Sequence, residues 1–283
     1  MAAPVRRRPS VAGVFYPSDP ETLRRKLASL TGEGTPRPAK AVLVPHAGYD
    51  YSGRVAGAVY SRVAVTRDVV LVAFHHRALG ARFGVWSDGE WETPLGPVPV
   101  AGDLAARLKA ACPVLEEDEA GFQGEHSAEV QMPFLQAARP DVRIVPLSVN
   151  AWEGGDVGRR DLADFGRALA AAVRDELVVA TTDLSHCGAG YDSPLPKGRT
   201  PRGHVSDLDA RVLDRVKALD VDGFWETLER FRVPMCGVGP TAVFLEYGRA
   251  RGAQSAEVVA YGTSADDEPD ADRAVGYPGV VIW

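Results

Sequence analysis

Six histidines are spread along the 283 residues of this chain, and four of them follow short apolar runs. His46 comes after 41–45 (AVLVP), His75 and His76 after 69–74 (VVLVAF), and His186 just beyond 177–182 (LVVATT). A fifth, His126, opens a helical stretch in Gly-Glu-His-Ser at 124–127. His204 reads as an ordinary loop residue. Imidazole is the commonest metal ligand and a general acid or base near neutral pH. One such residue would be read as a surface or hydrogen-bonded histidine. Several at equivalent strand ends point to a shared site.

Three other residues extend the set. Asp183 precedes His186 by three positions in Thr-Thr-Asp-Leu-Ser-His. Its carboxylate would ligate a metal, orient the neighbouring imidazole and raise its pKa, or cap a helix. Cys236 lies in Met-Cys-Gly-Val-Gly-Pro before a helical stretch, Thr241–Tyr247. A helix N-terminus stabilises the metal-binding thiolate; the alternative is a small buried apolar side chain. Cys112 belongs to the core, and Cys187, beside His186, is undecided. Glycines at 48 and 53 allow a tight turn after His46. The chain has no Walker A motif, no dinucleotide fingerprint, no G-x-S-x-G and no H-E-x-x-H, which argues against a nucleotide enzyme, a serine hydrolase and a zincin.

The elements that must position these residues are legible as an alternation. Strands are expected at 41–45, 69–74, 143–148, 177–182 and 256–261, near-continuous apolar runs suited to burial on both faces. In 158–174, Leu162, Phe165, Leu169 and Val173 recur on one helical face, as do Leu208, Val212, Val216 and Leu219 in 205–219. The pattern predicts one α/β domain over 1–283, with a mostly parallel central sheet and helices on both faces. In such sheets ligands bind beyond the carboxyl ends of the strands, which is where the histidines fall. The acidic segment 264–273 reads as a surface loop.

Composition bounds the rest. Apolar residues are 45% and charged residues 25% of the chain, enough for a large core. A net charge of −6 argues against nucleic acid or an anionic membrane as partner. No apolar run nears the ~20 residues that span a bilayer. The basic start, Met1 to Arg8, lacks the apolar stretch of a secretory signal. Three cysteines make no disulfide framework and fit the cytoplasm.

Several motifs in order resemble the MEMO family, whose bacterial members are called AmmeMemoRadiSam system protein B. They are Val11-Ala-Gly-Val-Phe-Tyr-Pro17, Pro45-His-Ala-Gly-Tyr49 with Ser52-Gly53, Glu92-Thr-Pro-Leu-Gly96, Glu125-His-Ser-Ala-Glu-Val-Gln-Met-Pro-Phe134, Thr182-Asp-Leu-Ser-His186, Cys236-Gly-Val-Gly-Pro240, Tyr261-Gly-Thr-Ser264 and Val275-Gly-Tyr277. They span nearly the whole chain. The family's fold is similar to that of class III extradiol ring-cleavage dioxygenases, which use non-haem iron(II). The resemblance implies a metal held by two histidines and a cysteine, with iron or copper implicated. It carries the first ligand to His46 and the third to Cys236. Where the family has Gly-Pro-Ser-His, this chain has Ala73-Phe74-His75-His76; alignment without a gap to Thr93-Pro94-Leu95 makes His76 the second ligand and puts His75 in place of the serine. His126 and His186 match the dioxygenases' acid/base histidines. His75 is then expected either to stand behind the ligand His76 or to face substrate, and Tyr49 to face substrate. Cys236 stands where the dioxygenases have a carboxylate, and a thiolate shifts preference toward Cu(I) or zinc.

Three functions follow as expectations. The first is a metal-dependent redox enzyme, oxygenase-like, acting on a small phenolic substrate: His186 takes a proton, assisted by Asp183, and His126 donates one or stabilises oxygen. The second is a metal- or peptide-binding protein without turnover. The third is a zinc-type hydrolase on the same ligands. The family resemblance also implies a radical-SAM partner system.

Overall fold

The near-continuous β-branched runs form the middle of a large sheet in the computed structural model, which describes residues 5–77, 79–150, 158–268 and 270–283. Residues 1–4 of the basic terminus and Pro269 of the acidic segment lie outside the described residues. In chain order the first elements are β1 (Arg6–Arg7), α1 (Pro20–Leu30), β2 (Ala41–Val44), α2 (Tyr49–Tyr60), β3 (Asp68–Ala73), β4 (Phe83–Val85), β5 (Glu90–Thr93) and β6 (Gly96–Pro99). Then come α3 (Gly102–Ala111), β7 (Glu116–Glu117), α4 (Glu119–Phe122), α5 (Met132–Ala138), β8 (Arg143–Val149), α6 (Arg159–Ala172) and β9 (Leu177–Thr181). The last are β10 (His186–Gly188), α7 (Pro201–Lys217), α8 (Val221–Phe231), α9 (Val238–Ala250), β11 (Glu257–Thr263) and β12 (Arg273–Ile282).

The sheet runs β10-β12-β2-β9-β3-β8-β4-β7, with β11 also on β12. Its centre, β2-β9-β3-β8, is parallel. Its margins are mixed: β12 is antiparallel to β2, β10 and β11, and β4 to β8. The sequence expectation of a mostly parallel sheet therefore holds at the centre and is corrected at the edges. The reason is connectivity: β11 turns back directly into β12, and a short return gives an antiparallel pair. A second small sheet is β1-β5-β6, and a bridge between Val100 and Ile144 joins its end to β8.

Alternate residues of β3 enter two cores. Val70 and Val72 pack with α3, α6, α7, α8 and α9, whereas Val69, Leu71 and Ala73 pack with α1, α2 and α5. Helices thus cover both faces, as the fully apolar strands require. His204 is a residue of α7, not of a loop: Thr200 caps that helix through Gly203 N–H, and Pro201 occupies its first turn. No helix among the described residues is long and apolar enough to cross a membrane.

The N-terminal segment is tied down by charge. Arg7 is fully buried and Glu129 is 1% exposed. The guanidinium meets the Glu129 carboxylate at 2.8 Å, donates to the Phe122 carbonyl at 2.9 Å and to the Glu125 carbonyl, and lies over the Trp91 ring. Glu129 also accepts from Ser10 N–H, Val11 N–H and the Tyr16 hydroxyl. A buried pair this fully bonded is costly to break because one charge is left behind. Arg7→Ala is expected to lower unfolding free energy by about 3–5 kcal/mol, measured by chemical denaturation. A loss under 1 kcal/mol would show that water reaches and screens Glu129.

Candidate metal centre

Parallel register brings the site together. Val44 of β2 stands beside Thr181 of β9, and Ala180 of β9 beside Val72 of β3. His46, Asp183 and the His75-His76 pair, each within a few residues of those ends, therefore leave the sheet at one edge. Cys236 comes from elsewhere, the loop between α8 and α9. It is carried in by a bridge between Met235 and Ser185 and by Gly237, whose missing Cβ would lie closer than 3 Å to Thr182. Asp209 secures the same region, accepting from Ser185 N–H at 3.0 Å and from the Tyr261 hydroxyl at 2.7 Å.

Ligand atoms of His46, His76 and Cys236 all lie within 4.8 Å of one another. His46 Nε2 is 3.3 Å from Cys236 Sγ and 3.9 Å from an Asp183 oxygen. Its Nδ1 is buried without a protein partner. The His46 and His76 rings are perpendicular with centroids 5.2 Å apart, and His126 stacks on His76 at 4.2 Å. Two further groups share members with the first: His76, Glu125 and His126, and Asp183, His186 and Cys236. His186 and Asp183 thus reach the cluster, as does His126.

Glu125 organises one side of it, and nothing in the sequence reading had assigned it a role. Its carboxylate accepts from His76 N–H at 2.7 Å and His76 Nδ1 at 3.0 Å, and from the His126 and Ser127 N–H groups, each at 2.7 Å. A carboxylate on Nδ1 makes that nitrogen the donor and leaves Nε2 as the lone-pair nitrogen. The same segment clamps both strand ends: the Ser127 hydroxyl donates to the Phe74 carbonyl at 2.8 Å, and Gln131 Nε2 to the Pro45 carbonyl at 2.9 Å. Burial alone would raise Glu125, but the His76 ring, the neighbouring His126 imidazole and the Ser127 N–H outweigh it and hold the carboxyl well below its usual range.

Asp183 is not a helix N-cap. It follows β9 and accepts from His46 N–H at 2.9 Å, which fixes the turn after β2. Burial pushes its carboxyl up to about 7, against the opposing His46 N–H. Nor does it set the orientation of His186, as expected from the three-residue spacing. His186 Nδ1 contacts the Leu184 carbonyl at 2.8 Å and the Pro234 carbonyl at 3.3 Å. A carbonyl only accepts, so Nδ1 carries the proton and Nε2 is the basic nitrogen. Burial lowers the His186 pKa rather than raising it. His46 is also lowered, by burial and then by His76 and His126. The Cys236 thiol is pushed up by burial and by the Asp183 charge, so α9 does not by itself supply the thiolate expected from its N-terminus.

Two expected substrate contacts are in the interior instead. Tyr49 is 3% exposed; its hydroxyl donates to the Val130 carbonyl at 2.7 Å, and its ring packs on Tyr16 and Phe134. The cause is its place as the first residue of α2, whose inward face it joins. His75 is 1% exposed and turned toward Phe122 and Asp118, since adjacent residues leaving a strand point to opposite sides. What does flank the cluster is aromatic: Phe15 stands edge-on to His126 at 4.8 Å and Tyr191 to His186 at 5.1 Å. Cys112 is buried in the core, and Cys187 is buried in β10.

The His126 ring has a pKa lowered to about 4, by burial first and then by His76. Its unfolded value is about 6.5, so between these values the unfolded chain binds the extra proton. The metal-free protein should lose stability through this group as pH falls from about 6.5 to 4, by on the order of 2–4 kcal/mol. Asp183 acts oppositely from about 4 to 7, so the difference between wild type and His126→Asn isolates the histidine. Denaturation curves at pH 7.5 and 4.5 should show that difference shrinking or reversing; a pH-independent difference would disprove it.

Comparison with known proteins adds identity to this geometry. The family model described as Memo-like protein matches residues 7–281. A MEMO1 family protein of Methanothermobacter thermautotrophicus is 33% identical, over 96% of this chain and 98% of its own length. Those of Methanopyrus kandleri and Aquifex aeolicus are each 35% identical, over 98% of both chains. The crystal structure of an uncharacterized protein from Escherichia coli K12 shares the fold, with a TM-score of 0.52, 16% identity, and coverage of 86% of this chain and 99% of that one. By a match over almost its whole length, and by relatives that align end to end, the chain belongs to the Memo family.

Proposed function

We propose that this is a metal-dependent redox protein in which His46, His76 and Cys236 hold one iron or copper ion, and that it oxidises a small phenolic substrate in the manner of class III extradiol dioxygenases. The observation that carries the reading is the convergence of two imidazoles and one sulfur within 4.8 Å. The donor set fits: tetrahedral bonds of about 2.0–2.3 Å put neighbouring ligands roughly 3.3–3.8 Å apart, and His46 Nε2 and Cys236 Sγ stand at 3.3 Å. A cation there would favour the Cys236 thiolate against the burial that raises its pKa. Three protein ligands leave positions for substrate or oxygen, and the metal would supply the electron transfer that no side chain here can.

The remaining residues manage protons and shape. His186 is neutral at pH 7 because burial lowers its pKa. With Nδ1–H held by the Leu184 carbonyl, its Nε2 accepts the phenolic proton. His126, also neutral, fixes the opposite wall by stacking on His76. Phe15 and Tyr191 provide edges against which an aromatic ring packs.

Protein purified without oxygen is expected to carry about one iron or copper per chain by elemental analysis. His46→Ala, His76→Ala and Cys236→Ser should each lose most of it; full retention in all three would remove this ligand set. With catechols and an oxygen electrode, the iron(II) form should consume oxygen. His186→Asn should keep its metal and lose turnover by on the order of 10²–10⁴. Iron-loaded protein that consumes no oxygen with any phenol would favour the non-catalytic binding reading.

A further inference from the structure

We propose that His75 is a positioning residue: its buried imidazole locks the turn after β3 and thereby sets where His76 stands. The inference rests on the reading of His76 as a ligand, and it gives a role to the residue that departs from the family's Gly-Pro-Ser-His pattern.

The ring is built into a pocket that admits nothing larger. His75 Nδ1 donates to the Leu79 carbonyl at 2.8 Å, closing the turn on itself. The Asp118 carboxylate is 3.7 Å from the same nitrogen, and the Phe122 ring meets the imidazole edge-on at 5.0 Å. Asp118 is itself fixed, accepting from Ala81 N–H at 3.0 Å and Gly121 N–H at 2.9 Å. A Cβ on Gly80 or on Gly121 would come closer than 3 Å to the imidazole, and one on Gly84 closer than 3 Å to Asp118. Three glycines therefore leave the space that the ring and its carboxylate fill. Asn150 braces the backbone: its Oδ1 accepts His75 N–H at 2.9 Å and its Nδ2 donates to the Ala81 carbonyl at 2.5 Å.

His75 and His76 are consecutive, so their α-carbons are fixed about 3.8 Å apart. One side chain is anchored to Leu79, Asp118 and Phe122, the other to Glu125. The turn is gripped from both sides, and the ligand nitrogen of His76 is placed by both grips. A serine at 75 would stop short of the Leu79 carbonyl and leave a void in the glycine pocket, into which the turn could sag. An asparagine would put an amide N–H near the position of Nδ1.

The test uses Co(II) as the probe, with His75→Ser and His75→Asn in the full chain. Outer-shell changes of this kind cost about 10–100-fold in metal affinity. H75S should bind Co(II) about 10–100-fold more weakly, with a shifted visible spectrum. In the metal-free chain it should speed exchange of the His76 amide proton, now held by Glu125, by about tenfold or more. H75N should return both affinity and spectrum to near wild type. H75S that is less heat-stable but keeps wild-type affinity and spectrum would reduce His75 to filler and overturn the proposal. Loss of Co(II) as complete as in His76→Ala would make His75 a ligand and overturn it too, as would H75N no better than H75S. If wild type takes up no Co(II), the metal reading fails, and the His76 amide decides the positioning role alone: unchanged exchange in H75S refutes it. Should H75S not fold, Gly121→Ala puts a Cβ closer than 3 Å to the imidazole and displaces the ring, and wild-type affinity and exchange in that variant would refute the proposal.

Discussion

Removing imidazoles, carboxylates and a thiol from water at one edge of a sheet is the constraint to which the rest of this molecule answers. His46, Asp183 and Glu125 are nearly inaccessible, at 1%, 5% and 5% exposure, and buried polar groups are tolerable only with partners. Each partner found comes with a structural commitment. Glu125 takes two backbone N–H groups from its own turn and two donors from His76. Asp183 takes the His46 N–H. The carbonyls of Leu184 and Pro234 take His186. Desolvation thus does two things at once. It keeps His46, His126 and His186 neutral, the state in which an imidazole ligates or accepts a proton, and it ties His46, His76 and Cys236 to fixed partners in the neighbouring segments.

The segment from Glu125 to Gln131 shows how that commitment spreads. Four residues at alternate positions each reach a different part of the chain. Glu125 holds His76, Ser127 the Phe74 carbonyl, Glu129 the Arg7 guanidinium and Gln131 the Pro45 carbonyl. Two strand-end turns and the N-terminal segment are thereby referred to one short stretch. A histidine cluster assembled from separate loops would be loose without such a clamp, because loops tolerate shifts of an ångström and a ligand set does not.

This also explains what was legible in the sequence and what was not. The strands carrying His46, His76 and Asp183 could be read because both-face burial writes itself as a continuous apolar run. Their shared edge followed from parallel order. Cys236 has no such signal; its loop arrives through a bridge to Ser185, its place before a helix left a small buried side chain as the alternative, and the likeness of Cys-Gly-Val-Gly-Pro to the family's motif is what made it a ligand. Glu125 and Glu129 sat inside a quoted motif, but a carboxylate's partner 49 or 122 residues away leaves no periodicity to read. Tyr49 joins the core and not a substrate face because it is the first residue of α2 and lies on that helix's inward side, a boundary that glycines 48 and 53 do not mark. β12 was missed because glycine and proline interrupt its apolar pattern in Val-Gly-Tyr-Pro-Gly-Val, yet it joins β2, β10 and β11.

The thiol is where this edge parts from a two-histidine, one-carboxylate face. A carboxylate is present, but Asp183 lies 3.9 Å from His46 Nε2 and is engaged by the His46 backbone, while the sulfur is nearer at 3.3 Å. Burial raises both acids, Asp183 to about 7 and the Cys236 thiol well above its ordinary value, so near neutral pH the thiol keeps its proton and a metal cation at the sulfur would have to displace it. As a donor, sulfur favours a soft ion such as Cu(I), and oxygen a harder ferrous ion. A cation at this edge would draw on the sulfur by displacing its proton and on the carboxylate only by freeing it from the His46 N–H, while Glu125, which fixes His76, touches neither acid.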